Sequence, residues 1–191
     1  AAPDNAYPGS YRIGIEGENG LLSLRGGNYS ISFGDLLRVT QRIDRGSIGP
    51  FDIKLRVRAS TDAVLYLEVC DRHLLYPVNC VIQHVPLKAD PDTWQPLALK
   101  MEGEFSAPAK TFRAFAIGLL SQRGAVDVDD IVLATRTNHN LLSNGDFSQG
   151  GNRWFMTSDR NHLPWHAKSL TVNLLFDQGV IGFGLFLLLS T

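Results

Sequence analysis

Short stretches of alternating apolar and polar residues fill the first two thirds of the chain. The clearest runs from Phe51 to Arg58, where every second side chain is apolar and the side chains between them are charged. Alternation of this kind places the apolar residues on one face of a β-strand. Comparable stretches lie at 11–15, 29–33, 64–70, 80–85, 94–101, 112–120 and 126–134, and turn-forming residues separate nearly every pair. The pattern predicts an all-β domain, an antiparallel β-sandwich, over residues 1–137.

The character of the sequence changes after Thr137. Residues 138–162 are polar and rich in Gly and Asn, and we interpret them as a linker or one extra strand. From Pro164 onward the apolar residues recur at helical spacing, so we predict a helix over 163–191. The stretch 180–189 of this helix has no polar side chain. It is shorter than a transmembrane helix, which needs about 20 residues to cross a bilayer. We interpret the chain as a piece of a larger protein that ends within a membrane segment.

Composition narrows the class of protein. Hydrophobic residues make up 44% of the chain, which excludes an intrinsically disordered segment. Eighteen Lys and Arg against 19 Asp and Glu give a net charge of -1, so we expect no nucleic-acid partner. The motifs of serine hydrolases, P-loop proteins and zinc proteases are absent from the sequence.

The two cysteines, Cys70 and Cys80, lie at the facing ends of two predicted strands. If these strands form a hairpin, the ends come together and a disulfide fits. Two buried free thiols are the alternative, but the adjoining membrane segment favours an oxidising exterior and therefore the disulfide.

Several side chains are candidates for contact with a sugar. Tyr66, Tyr76 and Trp94 are aromatic residues that could stack on a sugar ring, although aromatics on alternating strands also build cores. Trp94 is the best candidate because it lies near a loop. His73 lies in the segment between the cysteines, where it serves either recognition or a solvated turn.

Three aspartates in the first half of the last predicted strand are candidates for a structural calcium site. Asp127, Asp129 and Asp130 offer carboxylate oxygens, and alternation places the first two on one face, where a solvated surface is the alternative.

The strand 125–133 resembles the final strand of jelly-roll carbohydrate-binding modules and galactose-binding-like domains. That resemblance covers about residues 10–136 and implies sugar binding by one sheet face or its loops, with calcium near Asp129 or Asp130. The sequence 140–147 is similar to a strand that often opens such domains.

A second resemblance covers residues 154–170 and continues through 176–182. This stretch resembles the O-antigen polymerase/ligase family of bacterial inner-membrane proteins, with Gly179 and Gly182 matching a Gly-x-x-Gly motif and Lys168 standing at the motif's histidine position. The resemblance implies a large periplasmic loop that re-enters a membrane helix. It also implies transfer of a glycan from a lipid-linked diphosphate carrier without a metal.

The residues next to that motif suggest roles in such chemistry within a full-length parent. His166 and His162 are candidates for proton transfer or for holding a phosphate or a metal, and Arg160 is a candidate for binding a diphosphate. Anchoring at the membrane interface by Trp154, Trp165 and His166 is the alternative.

These observations predict a periplasmic domain that binds or positions a glycan in a membrane protein of surface polysaccharide assembly. The expected partners are a glycan or lipid-linked oligosaccharide and, through the C-terminal segment, the inner membrane. We expect no required cofactor, and a structural calcium ion is a candidate only. Two alternatives stay open: a structural domain that self-associates, with a homodimer through residues 164–191, or part of a glycosyl-transfer site that the missing membrane region completes.

Overall fold

The computed structural model describes residues 9–16, 19–27, 36–44, 46, 49–73, 76–103, 105, 111–121, 124–135, 139–157 and 170–189. The chain divides into two units, residues 1–159 and 160–191. The first is built from strands and the second contains a helix.

The described residues of the first unit form two five-stranded sheets whose paired strands are all antiparallel. Sheet A has the order β1 (Ser10–Glu16), β2 (Asn19–Arg25), β9 (Ala125–Ala134), β4 (Phe51–Ala59), β7 (Asp90–Met101). Sheet B has the order β10 (Phe155–Thr157), β3 (Arg38–Ile43), β8 (Phe112–Leu119), β5 (Ala63–His73), β6 (Tyr76–Leu87). The predicted antiparallel β-sandwich is confirmed, while the strand predicted at 29–33 lies outside the described residues.

Alternation along the strands creates the core between the sheets. The charged side chains of β4 point outward. The apolar side chains between them are buried: Phe51, Ile53, Leu55 and Val57. Leu65, Leu67 and Val69 of β5 enter the same core from sheet B. Burial of this apolar surface drives the two sheets together.

A buried ion pair closes one end of this core. Arg113 and Asp71 are paired across β8 and β5, and the guanidinium donates two hydrogen bonds of 2.8 Å to the two carboxylate oxygens. Phe105 covers the pair, with the Arg113 guanidinium carbon 4.2 Å from its ring centroid, and Phe105 in turn packs edge-on against Phe51. Such bidentate geometry offsets the cost of burying two charges.

The segment 139–157 packs into the sandwich. Leu142, Phe147 and Trp154 are buried core residues, and β10 adds a short edge strand to β3. The Trp154 indole donates a 2.9 Å hydrogen bond to the Asn144 carbonyl and its ring lies 5.4 Å from that of Phe147. Anchoring of Trp154 at a membrane interface, one of the alternatives above, is therefore wrong, because its ring is packed inside the β-sandwich.

The second unit contains the helix predicted from the periodicity. The helix α1 extends over Leu170–Leu189, and Gly179 interrupts its helical backbone with φ 66° and ψ -175°. Glycine adopts this conformation without the steric cost that a Cβ brings. Within the described residues, no helix combines the length and the apolar character needed to span a membrane. The membrane segment stays a prediction.

Candidate functional site

The outward side of sheet A carries a dense set of charged and aromatic side chains. On β4 the residues between the core positions are Asp52, Lys54, Arg56 and Arg58. The register places β7 on one side of them and β9 on the other. We call the outward surface of β7, β4 and β9 the charged face.

Ion pairs between described residues of β4 and β9 cross the charged face. Arg58 contacts Asp127 at 2.9 Å, and Arg56 contacts Asp129 at 2.6 Å and Asp130 at 2.7 Å. Arg56 reaches two consecutive aspartates because the pairing of β4 and β9 shifts at this point and Asp130 has a positive φ of 51°. Such a β-bulge adds an unpaired residue and redirects its side chain.

The three aspartates therefore lie together on one outer face, and the predicted shared face of Asp127 and Asp129 is right. Burial raises the pKa of Asp129 and the nearby Asp130 carboxylate adds to the rise, while Arg56 and the backbone N–H of Asp130 act against it. A calcium ion would have to compete with the arginines for these oxygens. The calcium site stays a prediction.

Trp94 on β7 packs against the same two arginines. The guanidinium carbon of Arg58 lies 4.8 Å from the centroid of its ring, and that of Arg56 lies 5.4 Å away. Cations within about 6 Å of an indole ring are attracted to its π-electrons. The ring is held in place on the sheet yet stays partly exposed. Trp94 therefore has the rigidity and access that a stacking platform needs.

A pocket of about 320 Å³ lies further along the charged face. Three small side chains leave room for it, one on β7 and two on β9: Ala98, Val132 and Ala134. Charged side chains from β4 and β7 also line it: Asp52, Lys54 and Lys100. The β7 residues Trp94 and Ala98 are four positions apart and so lie on one side of the strand, about 13 Å from each other along it. We call this depression the lysine pocket.

The other predicted sugar-contact residues lie on sheet B. Tyr66 belongs to the outward face of sheet B, so it and Trp94 point away from the sandwich on opposite sides and cannot contact one small ligand. His73 is exposed at the end of β5 and pairs in register with Tyr76 at the start of β6. The side chain of Tyr76 lies outside the described residues.

Tyr66 is part of a buried polar cluster that sequence reasoning missed. Its hydroxyl donates to Glu68 at 2.5 Å, and Glu68 also accepts hydrogen bonds from Arg72 and Arg38 at 2.5 and 3.4 Å. The charged members are 3% exposed or less, although they point away from the core. Burial and the Glu68 carboxylate raise the pKa of Tyr66 to about 12.

The neighbouring strand explains how these long side chains fit on the sheet. Of the four outward residues of β8, only Phe112 at the start of the strand is large. The other three are Gly118, Ala116 and Ala114, so the centre of sheet B has almost no side-chain volume of its own. Leu36 packs over Gly118, where an added Cβ would meet its side chain. The sequence signal was the polar content of β5, where Tyr66, Glu68 and Arg72 recur on one side of the strand.

The predicted disulfide is confirmed. Cys70 and Cys80 are directly opposite in the register of β5 and β6, with their Cα atoms 4.1 Å apart. Both sulfurs lie within 4.8 Å of a carboxylate oxygen of Glu68. Because disulfide sulfurs are not thiolates, this group does not bind a metal as the zinc sites of proteins do.

The residues predicted for transfer chemistry, His166, His162 and Arg160, lie outside the described residues. Their roles stay predictions for a full-length parent.

No family model matches the chain, and no curated protein matches it. Among solved structures, the apo carbohydrate-binding module of PbXyn10C is 18% identical, with a TM-score of 0.47 over 83% of this chain and 86% of that one. A CBM4 structure is 15% identical, with a TM-score of 0.46 over 66% of this chain and 77% of that one. The N-terminal cellulose-binding domain of β-1,4-glucanase C from Cellulomonas fimi is 12% identical, with a TM-score of 0.43 over 70% and 98%. At these identities the similarity concerns the β-sandwich alone.

Proposed function

We propose that the sandwich is a glycan-binding domain and that the charged face of sheet A is its binding surface. The observation that carries the proposal is Trp94, a partly exposed indole packed on Arg56 and Arg58. A sugar ring offers C–H groups that pack on an aromatic surface and hydroxyls that hydrogen-bond to charged planar groups. The charged face supplies both within one rigid sheet.

The rest of the face fits an extended ligand. From Trp94 to Lys100 it follows β7 for about 20 Å, which leaves room for several sugar units in a row. The Asp127 and Asp129 carboxylates accept hydrogen bonds, and their arginine partners hold them in fixed positions. Fixed polar groups lose little conformational entropy when a ligand binds. The similar structures named above are carbohydrate-binding modules, but the proposal rests on the face itself.

A glycan array tests the proposal with the 191-residue chain. The array is probed in the presence of calcium and again with a chelator, and any retained glycan is then tested against Trp94→Ala. We expect a saturable signal that Trp94→Ala removes. Phe155→Ala is the matched control, because Phe155 is an exposed aromatic on sheet B. A folded sample that binds no glycan contradicts the proposal.

We propose further that this domain belongs to a bacterial inner-membrane protein of surface polysaccharide assembly, with the sandwich in the periplasm. The resemblance of residues 154–182 supports this context. In a full-length parent, His166→Ala should then abolish the polymerised or ligated product, and a normal yield of product would contradict that role.

A further inference from the structure

The residues that line the lysine pocket carry a net positive charge, unlike the ion-paired arginines and aspartates on the rest of the charged face. Its lining contains Lys54 and Lys100 against Asp52, so one positive charge is left over. The arginines beside it already contact aspartates at 2.6–2.9 Å. The positive charge is thus concentrated at the end of the face that lies away from Trp94.

Neither lysine is committed to a tight ion pair. Lys54 forms no ion pair with any described residue, and the ammonium group of Lys100 lies 3.6 Å from the exposed Glu102 carboxylate. An exposed pair at that distance contributes little. Both ammonium groups can therefore turn toward a ligand in the pocket without breaking a strong interaction.

The floor of the pocket favours a substituent over a whole polymer chain. Ala98, Val132 and Ala134 make it a shallow apolar depression between charged walls. A group that enters it loses part of its hydration and gains two nearby cations. An anion gains most from that exchange, because charge-assisted hydrogen bonds are about twice as strong as neutral ones.

We infer that the domain recognises acidic glycans and that the lysine pocket holds their anionic substituent, a carboxylate, sulfate or phosphate on the sugar. This inference rests on the proposed function and adds the substrate class to it. Trp94 supplies the stacking surface and the lysine pocket binds the anionic group. Asp52 accepts a hydrogen bond from a neighbouring hydroxyl of the sugar.

The test uses an array of uronic-acid, sulfated and phosphorylated oligosaccharides printed beside their neutral counterparts. We expect retention of acidic members and much weaker binding of the neutral ones. Raising the salt from about 0.01 M to about 1 M shortens the screening length from about 30 Å to about 3 Å and should weaken the binding. Lys54→Gln and Lys100→Gln should each weaken it about two- to five-fold, the size of an exposed ion pair.

Lys88→Gln is the matched control, since it removes the same charge from an exposed lysine outside the pocket. Unchanged thermal unfolding of each variant shows that the fold is intact. If the chain binds neutral glycans as well as acidic ones, or if the pocket variants bind acidic glycans like the wild type, the inference is overturned and the proposed function stands. If no glycan binds, both the inference and the proposed function are contradicted.

Discussion

Phe147 tests whether the segment 139–157 belongs to the sandwich. This side chain is 0% exposed and packs against Trp154, whereas Phe155 in the same segment is 44% exposed. Truncation of a buried phenylalanine to alanine removes its transfer free energy and leaves a cavity, and the two effects together cost about 3–5 kcal/mol. Phe147 has φ 51°, which alanine adopts no more easily than phenylalanine, so the backbone contribution is unchanged.

The assay is thermal unfolding followed by circular dichroism. For a chain of this size about 1 kcal/mol shifts Tm by about 2–4 °C, so Phe147→Ala should lower Tm by about 6–20 °C. Phe155→Ala makes the same chemical change at a half-exposed position and should cost only about 1 kcal/mol. Equal shifts for the two variants would refute the packing of 139–157 into the core.

Two further predictions concern sheet B. Reduction of the Cys70–Cys80 disulfide opens a short loop and should destabilise the fold by about 2–3 kcal/mol. The loss is measured as the shift of the urea midpoint with and without reductant. Alkylation of both thiols in the unreduced protein, seen by intact mass, would contradict the disulfide. The raised pKa of Tyr66, about 12, means that the folded state keeps the phenol neutral after the unfolded state ionises. Its stabilising contribution is complete below pH 10 and is lost between pH 10 and 12. Tyr66→Phe should flatten the fall in stability in that range, and an identical slope in wild type and variant would refute the raised pKa of Tyr66.

The sequence was sufficient for strands that alternate without interruption. β4 matches its prediction because each inward residue is apolar and every outward residue is charged. β3 was missed because Gln41 occupies an inward position and is buried. Its amide makes hydrogen bonds of 2.8 and 2.7 Å to the backbone of Ser143. A partner 102 residues away in the chain is invisible to a pattern of local alternation.

The candidate site was predictable in part. Its place near a loop marks Trp94 as a candidate, and alternation predicts the shared face of Asp127 and Asp129. Their arginine partners could not be derived, since the contacts depend on the order of β7, β4 and β9 in the sheet and on the bulge at Asp130. Likewise, Glu68 is buried because the neighbouring strand β8 has small residues on its outward side, and β8 lies about 50 residues later in the chain. These residues are Ala114, Ala116 and Gly118.

The most direct measurement of the central claim is calorimetric titration of the 191-residue chain with the glycan that the array retains. Trp94→Ala removes the aromatic surface at the centre of the proposed site, and loss of such a residue typically weakens binding by more than about 2 kcal/mol, or about 30-fold. We predict that loss for Trp94→Ala, with wild-type affinity for Phe155→Ala. Unchanged affinity in a folded Trp94→Ala variant would contradict the account.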